Sequence, residues 1–295
     1  MTVSASPSSG LVRDYIALTK PRIIVLLLVT ALGGMFLAAK GIPDSSTIAL
    51  VFAGGSLASG GANAINHYLD RDIDHKMLRT RSRPVAGGRI VPRDALIFGV
   101  GLNIAAFALL STLVNPLSAG LTLAATFVYV FVYTLGLKRT SPQNIVIGGA
   151  AGAFPPMVGW AAVQGDLSIA ALYLFAIVFF WTPPHFWALA LMLKDDYSEA
   201  GVPMLPVVRG EAETKRAIVL YAILLLALTE MFVVTREVGW IYGVSAAVLG
   251  LGYLYYAVRL LISPGIERAK PAYLFSLAYL ALLFAAVMID ASVLS

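Results

Sequence analysis

The chain has 295 residues, a net charge of +5 and a mean hydropathy of +0.83, and only 13% of its residues are charged. Because soluble domains carry about 25% charged residues, this composition excludes a soluble globular protein. Cysteine is absent, which excludes disulfides and thiolate metal sites.

Apolar runs recur along the whole chain, and runs of about 18 or more residues predict membrane-spanning helices. The nine predicted spans are 21–39, 47–68, 95–113, 117–137, 143–163, 167–193, 215–234, 239–258 and 271–289. Helices satisfy their own backbone groups in lipid. We therefore predict an all-α, polytopic membrane helical bundle with about nine transmembrane helices. Residues 1–20 are predicted to be a cytoplasmic N-terminal tail, and 21–295 a single membrane domain.

The basic residues predict the orientation. With the N-terminus inside, all 21 Lys and Arg residues except Lys40 and Arg236 fall in inner segments. Positive charge stays on the cytoplasmic side, so the N-terminus is expected inside and the C-terminus outside. The net charge then reflects topology, and no nucleic-acid partner is expected. The N-terminal stretch has no signal- or transit-peptide pattern, which favours a plasma or inner cell membrane.

The second span is followed by an acidic motif, NHYLDRDID. If the helix continues to residue 74, Asn66, Asp70 and Asp74 recur at i, i+4 and i+8 and share one face. Clustered carboxylates repel each other unless a cation joins them, and Mg²⁺ prefers oxygen ligands. The pattern favours a metal site. The alternative is a helix end with Asp–Arg pairs, since Arg71 lies among the acids.

Basic residues follow directly, in HKMLRTRSRPVAGGR. Arginine suits bidentate phosphate contact, so acids followed by bases are typical of a metal–diphosphate site. The alternative is the ordinary positive anchor of an inner loop. The candidates for diphosphate contact, from this loop and two later inner loops, are Lys76, Arg79, Arg83, Lys138 and Lys194.

A second long inner loop follows the sixth span and begins KDDYSEAG. Asp195, Asp196 and Glu199 form another acidic group there. The two loops are separated by four helices and resemble a weak internal duplication, with two half-sites facing each other. The second cluster is a candidate for a second metal, with a solvated loop as the alternative.

His185 lies within the sixth span, in WTPPHFWALA. Pro183 and Pro184 predict a break of that helix, and broken membrane helices line cavities. A neutral imidazole in aromatic surroundings is able to ligate the iron of a flat macrocycle. The alternative is a hydrogen-bonded histidine packed between helices.

The stretch NHYLDRDIDHKMLRTRSRPVAGG resembles, without a gap, the signature of the UbiA family of intramembrane prenyltransferases. Three further segments resemble its haem O synthase branch, the protohaem IX farnesyltransferases. They are ALTKPR, SPQNIVIGGAAGAFPPMVGW and WTPPHFWALALMLKDDYSEAGVPMLPVV.

The resemblance implies an enzyme that transfers farnesyl from farnesyl diphosphate to a vinyl group of haem B, with water, giving haem O and diphosphate. It implies Mg²⁺ as cofactor, with Asn66, Asp70 and Asp74 as the first metal–diphosphate motif. The second motif, with Asp195 and Asp196, departs from the Asp-x-x-x-Asp of many relatives because Glu199 ends it. It also implies a haem contact for His185 and, as partners, haem A synthase or a terminal oxidase.

Three other functions remain open from the sequence. A UbiA-type enzyme acting on another acceptor, such as a quinone precursor, shares the acidic motif. A secondary transporter also has repeats and intramembrane polar residues, but its polar site lies near the midplane. A structural assembly factor for a respiratory oxidase needs no chemistry of its own.

Overall fold

The computed structural model describes residues 7–293, and every regular element in that range is helical. The first six residues of the predicted tail and the last two of the chain lie outside the described residues. The helices up to the middle of the chain are α1 (Pro7–Thr19), α2 (Pro21–Ala39), α3 (Ser45–Leu69), α4 (Arg71–Lys76), α5 (Pro92–Leu113), α6 (Pro116–Phe127) and a π-helix (Val128–Leu137). Those that follow are α7 (Asn144–Gly148), α8 (Ala150–Gln164), α9 (Ile169–Met192), α10 (Lys194–Glu199), α11 (Leu205–Val208), α12 (Gly210–Val234), α13 (Trp240–Ile262) and α14 (Ala269–Val293).

Nine helical segments among the described residues are long and apolar enough to cross a membrane. Seven are single helices, the fourth joins α6 to the π-helix, and the fifth joins α7 to α8. The prediction of an all-α bundle with nine spans is therefore confirmed. The predicted N-terminal tail contains α1, whose Leu18 is fully buried.

The largest core cluster lies where α2, α8, α9, α12, α13 and α14 meet. Aromatic side chains fill much of it, including Trp160, Tyr242 and Phe284. The outward surface is also apolar, as the exposed Val234 and Trp240 illustrate. A bundle that is apolar both inside and outside is what a lipid environment requires.

Helices α2 and α8 approach so closely that only glycine fits at their contact. A Cβ on Gly34 would lie 2.9 Å from the carbonyl carbon of Pro156, and one on Gly159 would lie 2.9 Å from that of Ala31. Small residues at such contacts let membrane helices pack through their backbones. The backbones of α2 and α8 are therefore in direct contact at Gly34 and Gly159.

The predicted break of the sixth span at Pro183 and Pro184 is wrong, because α9 is one continuous helix from Ile169 to Met192. The two prolines remove two N–H donors. Neighbouring groups hold the helix in place nonetheless: the Trp181 indole donates to the Ser276 carbonyl of α14 at 2.8 Å. Membrane helices tolerate proline where packing and nearby polar side chains compensate.

Substitution of Gly159 by alanine is expected to destabilise the protein, whereas the same change at Gly152 on the same helix is not. Alanine improves helix propensity equally at both sites, but only at position 159 does the new methyl group meet backbone atoms. Overpacking of this kind costs about 1–3 kcal/mol. Thermal unfolding of the two variants in detergent would measure the difference, and equal unfolding temperatures would contradict the close-packing argument.

Candidate functional site

The acidic motif lies at one end of the bundle, where α3 passes into α4. The helix is interrupted at Asp70, which has φ −92° and ψ 6°. The backbone ladder nevertheless continues, because Asp70 N donates to Asn66 O at 2.9 Å and Asp74 N donates to Asp70 O at 2.8 Å. The three side chains are buried, with exposed fractions of 3%, 0% and 2% for Asn66, Asp70 and Asp74. Because the backbone hydrogen bonds continue through the interruption, Asn66, Asp70 and Asp74 keep their helical spacing of four residues.

Asp70 is neutralised by bases from the end of the fourth span. The Lys138 ammonium pairs with its Oδ2, and Arg139 Nη2 lies 3.7 Å from its Oδ1. Asn66 Nδ2 donates to the same Oδ2 at 2.6 Å. A fully buried carboxylate needs such partners, since an isolated buried charge is strongly unfavourable.

Asp74 is neutralised from within its own loop. Arg83 Nη1 lies 2.8 Å from Oδ1 and 2.9 Å from Oδ2 of Asp74. The Thr80 hydroxyl donates to the Asp74 backbone carbonyl at 3.1 Å. These contacts bring Thr80 and Arg83 of the loop after α4 back onto the acidic motif. Two of the five predicted diphosphate contacts, Arg83 and Lys138, thus lie directly on the two carboxylates.

Two further residues that the sequence analysis did not assign complete the surroundings of Asn66. Lys20 Nζ donates to its Oδ1 at 3.1 Å, and its Nδ2 lies 3.2 Å from the Thr134 hydroxyl oxygen. Burial, together with the nearby Arg83 and Lys138 charges, lowers the pKa of Lys20 to about 7. The only sequence signal for Lys20 is its place directly before the first span, in ALTKPR.

The π-helix positions this side of the site. Its wider turn is closed by Lys138 N, which donates to Tyr133 O at 2.8 Å. The Thr134 hydroxyl likewise donates to Tyr129 O at 2.8 Å, and the rings of Tyr129 and Tyr133 stack with centroids 5.8 Å apart. π-Helical segments are rare in proteins, and those that occur are often found at functional sites. Here the segment aims Thr134 and Lys138 at the acidic motif.

The second loop packs against the first. Ile73 and Met77 of the first loop share an apolar cluster with Ala200, Val202 and Met204 of the second. The two acidic loops therefore lie at the same end of the bundle.

The acids of the second loop are open to the surroundings. Asp195 and Glu199 are exposed and Asp196 is partly exposed. Tyr197 beside them is different: burial raises the pKa of its phenol, and the charges of Arg79, Lys138 and Arg83 act on it. Its position links the second loop to the bases of the first.

The other predicted bases are spread around the site. Lys76 and Arg79 are exposed on the first loop. Lys194 Nζ pairs with Glu211 Oε1 at 3.0 Å, so it is engaged at the start of α12. Arg139 binds Asp72 at 2.6 Å, and this hydrogen bond lowers the pKa of Asp72 to about 2.

The donor set of the acidic motif fits a hard divalent cation. Asp70 Oδ1 is buried without a hydrogen-bond partner among the described residues. Mg²⁺ is usually held by one or two carboxylates together with substrate phosphate and water. Within residues 7–293, no three His, Asp or Glu side chains lie close enough together to form a ready metal cluster. Asp70 and Asp74 provide the one or two carboxylates that usually hold Mg²⁺.

His185 lies on α9, in a separate aromatic environment. Its ring stacks on Trp181 at 4.3 Å and on Tyr273 at 4.8 Å, measured between centroids. Its Nδ1 lies 2.6 Å from the Ser276 hydroxyl oxygen. The side chain is 6% exposed. His185 is therefore packed between helices and hydrogen-bonded through Nδ1, whereas its Nε2 has no hydrogen-bond partner among the described residues.

Comparison with known proteins identifies relatives over most of the chain. The model of the UbiA prenyltransferase family matches residues 27–287. The chain is 50% identical over 284 residues to a protohaem IX farnesyltransferase of Gloeobacter violaceus, covering 96% of this chain and 93% of that one. It is 51% identical over 289 residues to a protohaem IX farnesyltransferase of Roseiflexus sp., covering 98% of this chain but only 54% of that one. The chain thus spans about half the length of the Roseiflexus relative.

A solved structure shows the same fold. It is a UbiA homologue from Archaeoglobus fulgidus bound to DMAPP and Mg²⁺, with a TM-score of 0.64, 16% identity, and coverage of 94% of this chain and 99% of that one. At this identity the likeness establishes the architecture.

Replacing Arg83 by methionine is expected to destabilise the protein by about 3 kcal/mol, because it leaves the Asp74 carboxylate buried without its counter-ion. The double variant Arg83→Met/Asp74→Asn should regain most of that loss. As a control, Arg89→Met removes the partly exposed pair with Asp14 and should cost about 0–1 kcal/mol. Unfolding in detergent would measure all three; equal losses for both single variants would contradict a buried, coupled pair.

Proposed function

This chain belongs to the UbiA prenyltransferase family, and on that premise we propose that it is a haem O synthase. It transfers the farnesyl group of farnesyl diphosphate to a vinyl group of haem B with addition of water, giving haem O and diphosphate. The buried acidic motif with its paired bases carries the proposal, together with relatives about half identical that are named protohaem IX farnesyltransferases.

The diphosphate end of the substrate is proposed to bind at the acidic motif. Asp70 and Asp74 would hold Mg²⁺ through carboxylate oxygens, with Asn66 as a neutral neighbour. When bound, Mg²⁺ neutralises the diphosphate and so favours its departure. Support comes from Asp70 Oδ1, which is buried without a hydrogen-bond partner among the described residues, and from the Archaeoglobus homologue of the same fold, which binds DMAPP and Mg²⁺.

The basic residues of the chain contact the remaining diphosphate oxygens in this proposal. Arg83 and Lys138 already lie against the carboxylates, and Arg79 is exposed on the same loop. Charge placed where negative charge develops is usually the largest electrostatic term in catalysis. Lys76 and Lys194 are further candidates nearby, and Asp195 and Asp196 are proposed as the second acidic group.

The reaction proceeds by ionisation and addition. The allylic C–O bond breaks, and its electron pair leaves with the diphosphate. The electron-rich vinyl group of haem B then forms a C–C bond to the farnesyl carbon, which places the cation on the carbon next to the macrocycle. Water adds there and releases one proton. The aromatic faces of Tyr129 and Tyr133, stacked beside the site, are suited to a nearby cation.

The acceptor is proposed to contact His185, whose aromatic surroundings suit a flat macrocycle. The membrane location suits both substrates, since each is largely apolar. The multi-pass chain is proposed to lie in the plasma or inner cell membrane, with the acidic motif on the cytoplasmic side, where the basic residues gather. Haem A synthase or a terminal oxidase is proposed to receive the product.

Membranes containing this protein, supplied with haem B, farnesyl diphosphate and Mg²⁺, are expected to yield a haem heavier by one farnesyl group and one hydroxyl group. Mass spectrometry of the extracted haem would detect it. Diphosphate release without that product, in the presence of a quinone precursor, would assign a different acceptor. If folded protein gives neither the heavier haem nor diphosphate release, the prenyltransferase proposal is rejected. A transporter or an assembly factor would then be favoured.

Asp70→Asn is expected to lower turnover by at least about 100-fold while the protein stays folded, because it removes a charge from the diphosphate end of the site. Asp72→Asn serves as the matched control. Its carboxylate lies on the same loop but is exposed and paired with Arg139, so near-normal turnover is expected. Haem O formation per folded protein would be compared. Normal turnover in Asp70→Asn would end the proposed role of the acidic motif.

A further inference from the structure

The imidazole of His185 is held between two aromatic rings. Trp181 stacks on it with an interplanar angle of 18°, and Tyr273 stacks on it with an angle of 26°. At centroid separations of 4.3 and 4.8 Å, two rings have no room on the same face of an imidazole, so they cover both faces. Contact with any further molecule is therefore confined to the ring edge.

Ser276 of α14 engages one side of that edge and also anchors the neighbouring ring. Its hydroxyl oxygen lies 2.6 Å from His185 Nδ1, and its backbone carbonyl accepts the Trp181 indole N–H at 2.8 Å. The serine is fully buried. One residue of α14 thus sets the position of two aromatic side chains on α9.

Counting protons determines the direction of the His185–Ser276 hydrogen bond. A serine hydroxyl has one proton and two lone pairs. The Ser276 hydroxyl donates that proton to the Tyr273 carbonyl at 2.6 Å, and a carbonyl only accepts. The contact with His185 therefore uses a serine lone pair, and the proton must come from Nδ1. The neutral ring then carries its lone pair on Nε2.

Nε2 is the ring nitrogen of His185 that Ser276 does not engage. The described residues give Nε2 no hydrogen-bond partner, yet it is not enclosed, in contrast to both ring nitrogens of His67. A histidine that binds a metal through one nitrogen almost always donates the N–H of the other to a fixed acceptor, which sets tautomer and orientation. Ser276 has the position of such an acceptor.

We propose that Ser276 is a positioning residue that fixes His185 as the Nδ1–H tautomer and thereby presents the Nε2 lone pair as an axial ligand for the iron of a haem-type substrate. The inference rests on the proposed function and deepens it. The Trp181 and Tyr273 rings hold the imidazole plane, and Ser276 sets its rotation within that plane.

The test compares two probes that share a macrocycle. Ferric haem B offers iron to Nε2, whereas metal-free protoporphyrin IX has the same outline and no iron. The full chain, purified in detergent, would be titrated with each, using Soret absorbance for haem and fluorescence for protoporphyrin. Variants are Ser276→Ala, Ser276→Thr and His185→Ala. Ser118→Ala, a fully buried serine on α6 outside this cluster, is the matched control.

Ser276→Ala is expected to weaken ferric haem binding about 10-fold, within the 10- to 100-fold range typical when the partner of a metal-bound histidine is removed. Its Soret band should shift, while protoporphyrin IX binds as in the wild type. Ser276→Thr keeps the hydroxyl and should restore haem binding. His185→Ala should lose the iron-dependent part entirely, and Ser118→Ala should match the wild type with both probes.

Two results would overturn the inference while leaving the proposed function intact. One is wild-type ferric haem binding in Ser276→Ala; the other is equal weakening of haem and protoporphyrin IX, which would show a packing role only. In both cases the wild-type chain must form haem O, which shows that the proposed function itself holds. A wild-type chain that forms no haem O and binds neither probe would instead remove the proposed function, and the inference with it.

Discussion

Burial of two carboxylates at one end of a membrane bundle is the constraint on which the site depends. Asp70 and Asp74 are both at least 98% buried, and a charge in such surroundings must be paired. Their counter-ions come from different parts of the chain, Lys138 at the end of the π-helix and Arg83 in the loop after α4. Pairing therefore draws a span end and a loop onto the end of α3.

The same pairing keeps the local charge nearly balanced. Lys20 and Asn66 extend the network across to α2, and the apolar cluster of Ile73 and Val202 draws the second acidic loop against the first. A site of this composition contains groups of both signs within a few ångströms. It is suited to a ligand that itself combines an anionic head and a divalent cation, because each finds an opposite charge without long-range rearrangement.

The surroundings of His185 are apolar and aromatic, unlike the charged surroundings of Asp70 and Asp74. A neutral imidazole needs no counter-ion, so it is able to lie among Trp181, Tyr273 and Phe186 within the apolar body of the bundle. In the proposed arrangement its tautomer is fixed by the Ser276 hydroxyl of α14, which also donates to the Tyr273 carbonyl. Charge pairing thus organises the end of the bundle, whereas stacking and a single hydrogen bond organise this region of α9 and α14.

The sequence by itself determined the features that depend on neighbours along the chain. Length and hydropathy of the apolar runs predicted nine spans, and the four-residue spacing of Asn66, Asp70 and Asp74 predicted a shared face. Contacts between distant residues were decided only by the tertiary structure: Lys20 lies 46 positions from Asn66, and Ser276 lies 91 positions from His185. The prediction of a helix break at Pro183 and Pro184 was wrong because contacts with other helices, such as that between Trp181 and Ser276, are not visible in the sequence. Sequence rules for proline and for helical spacing describe an isolated helix. The packing of neighbouring helices decides which distant side chains meet and whether a helix continues through a proline.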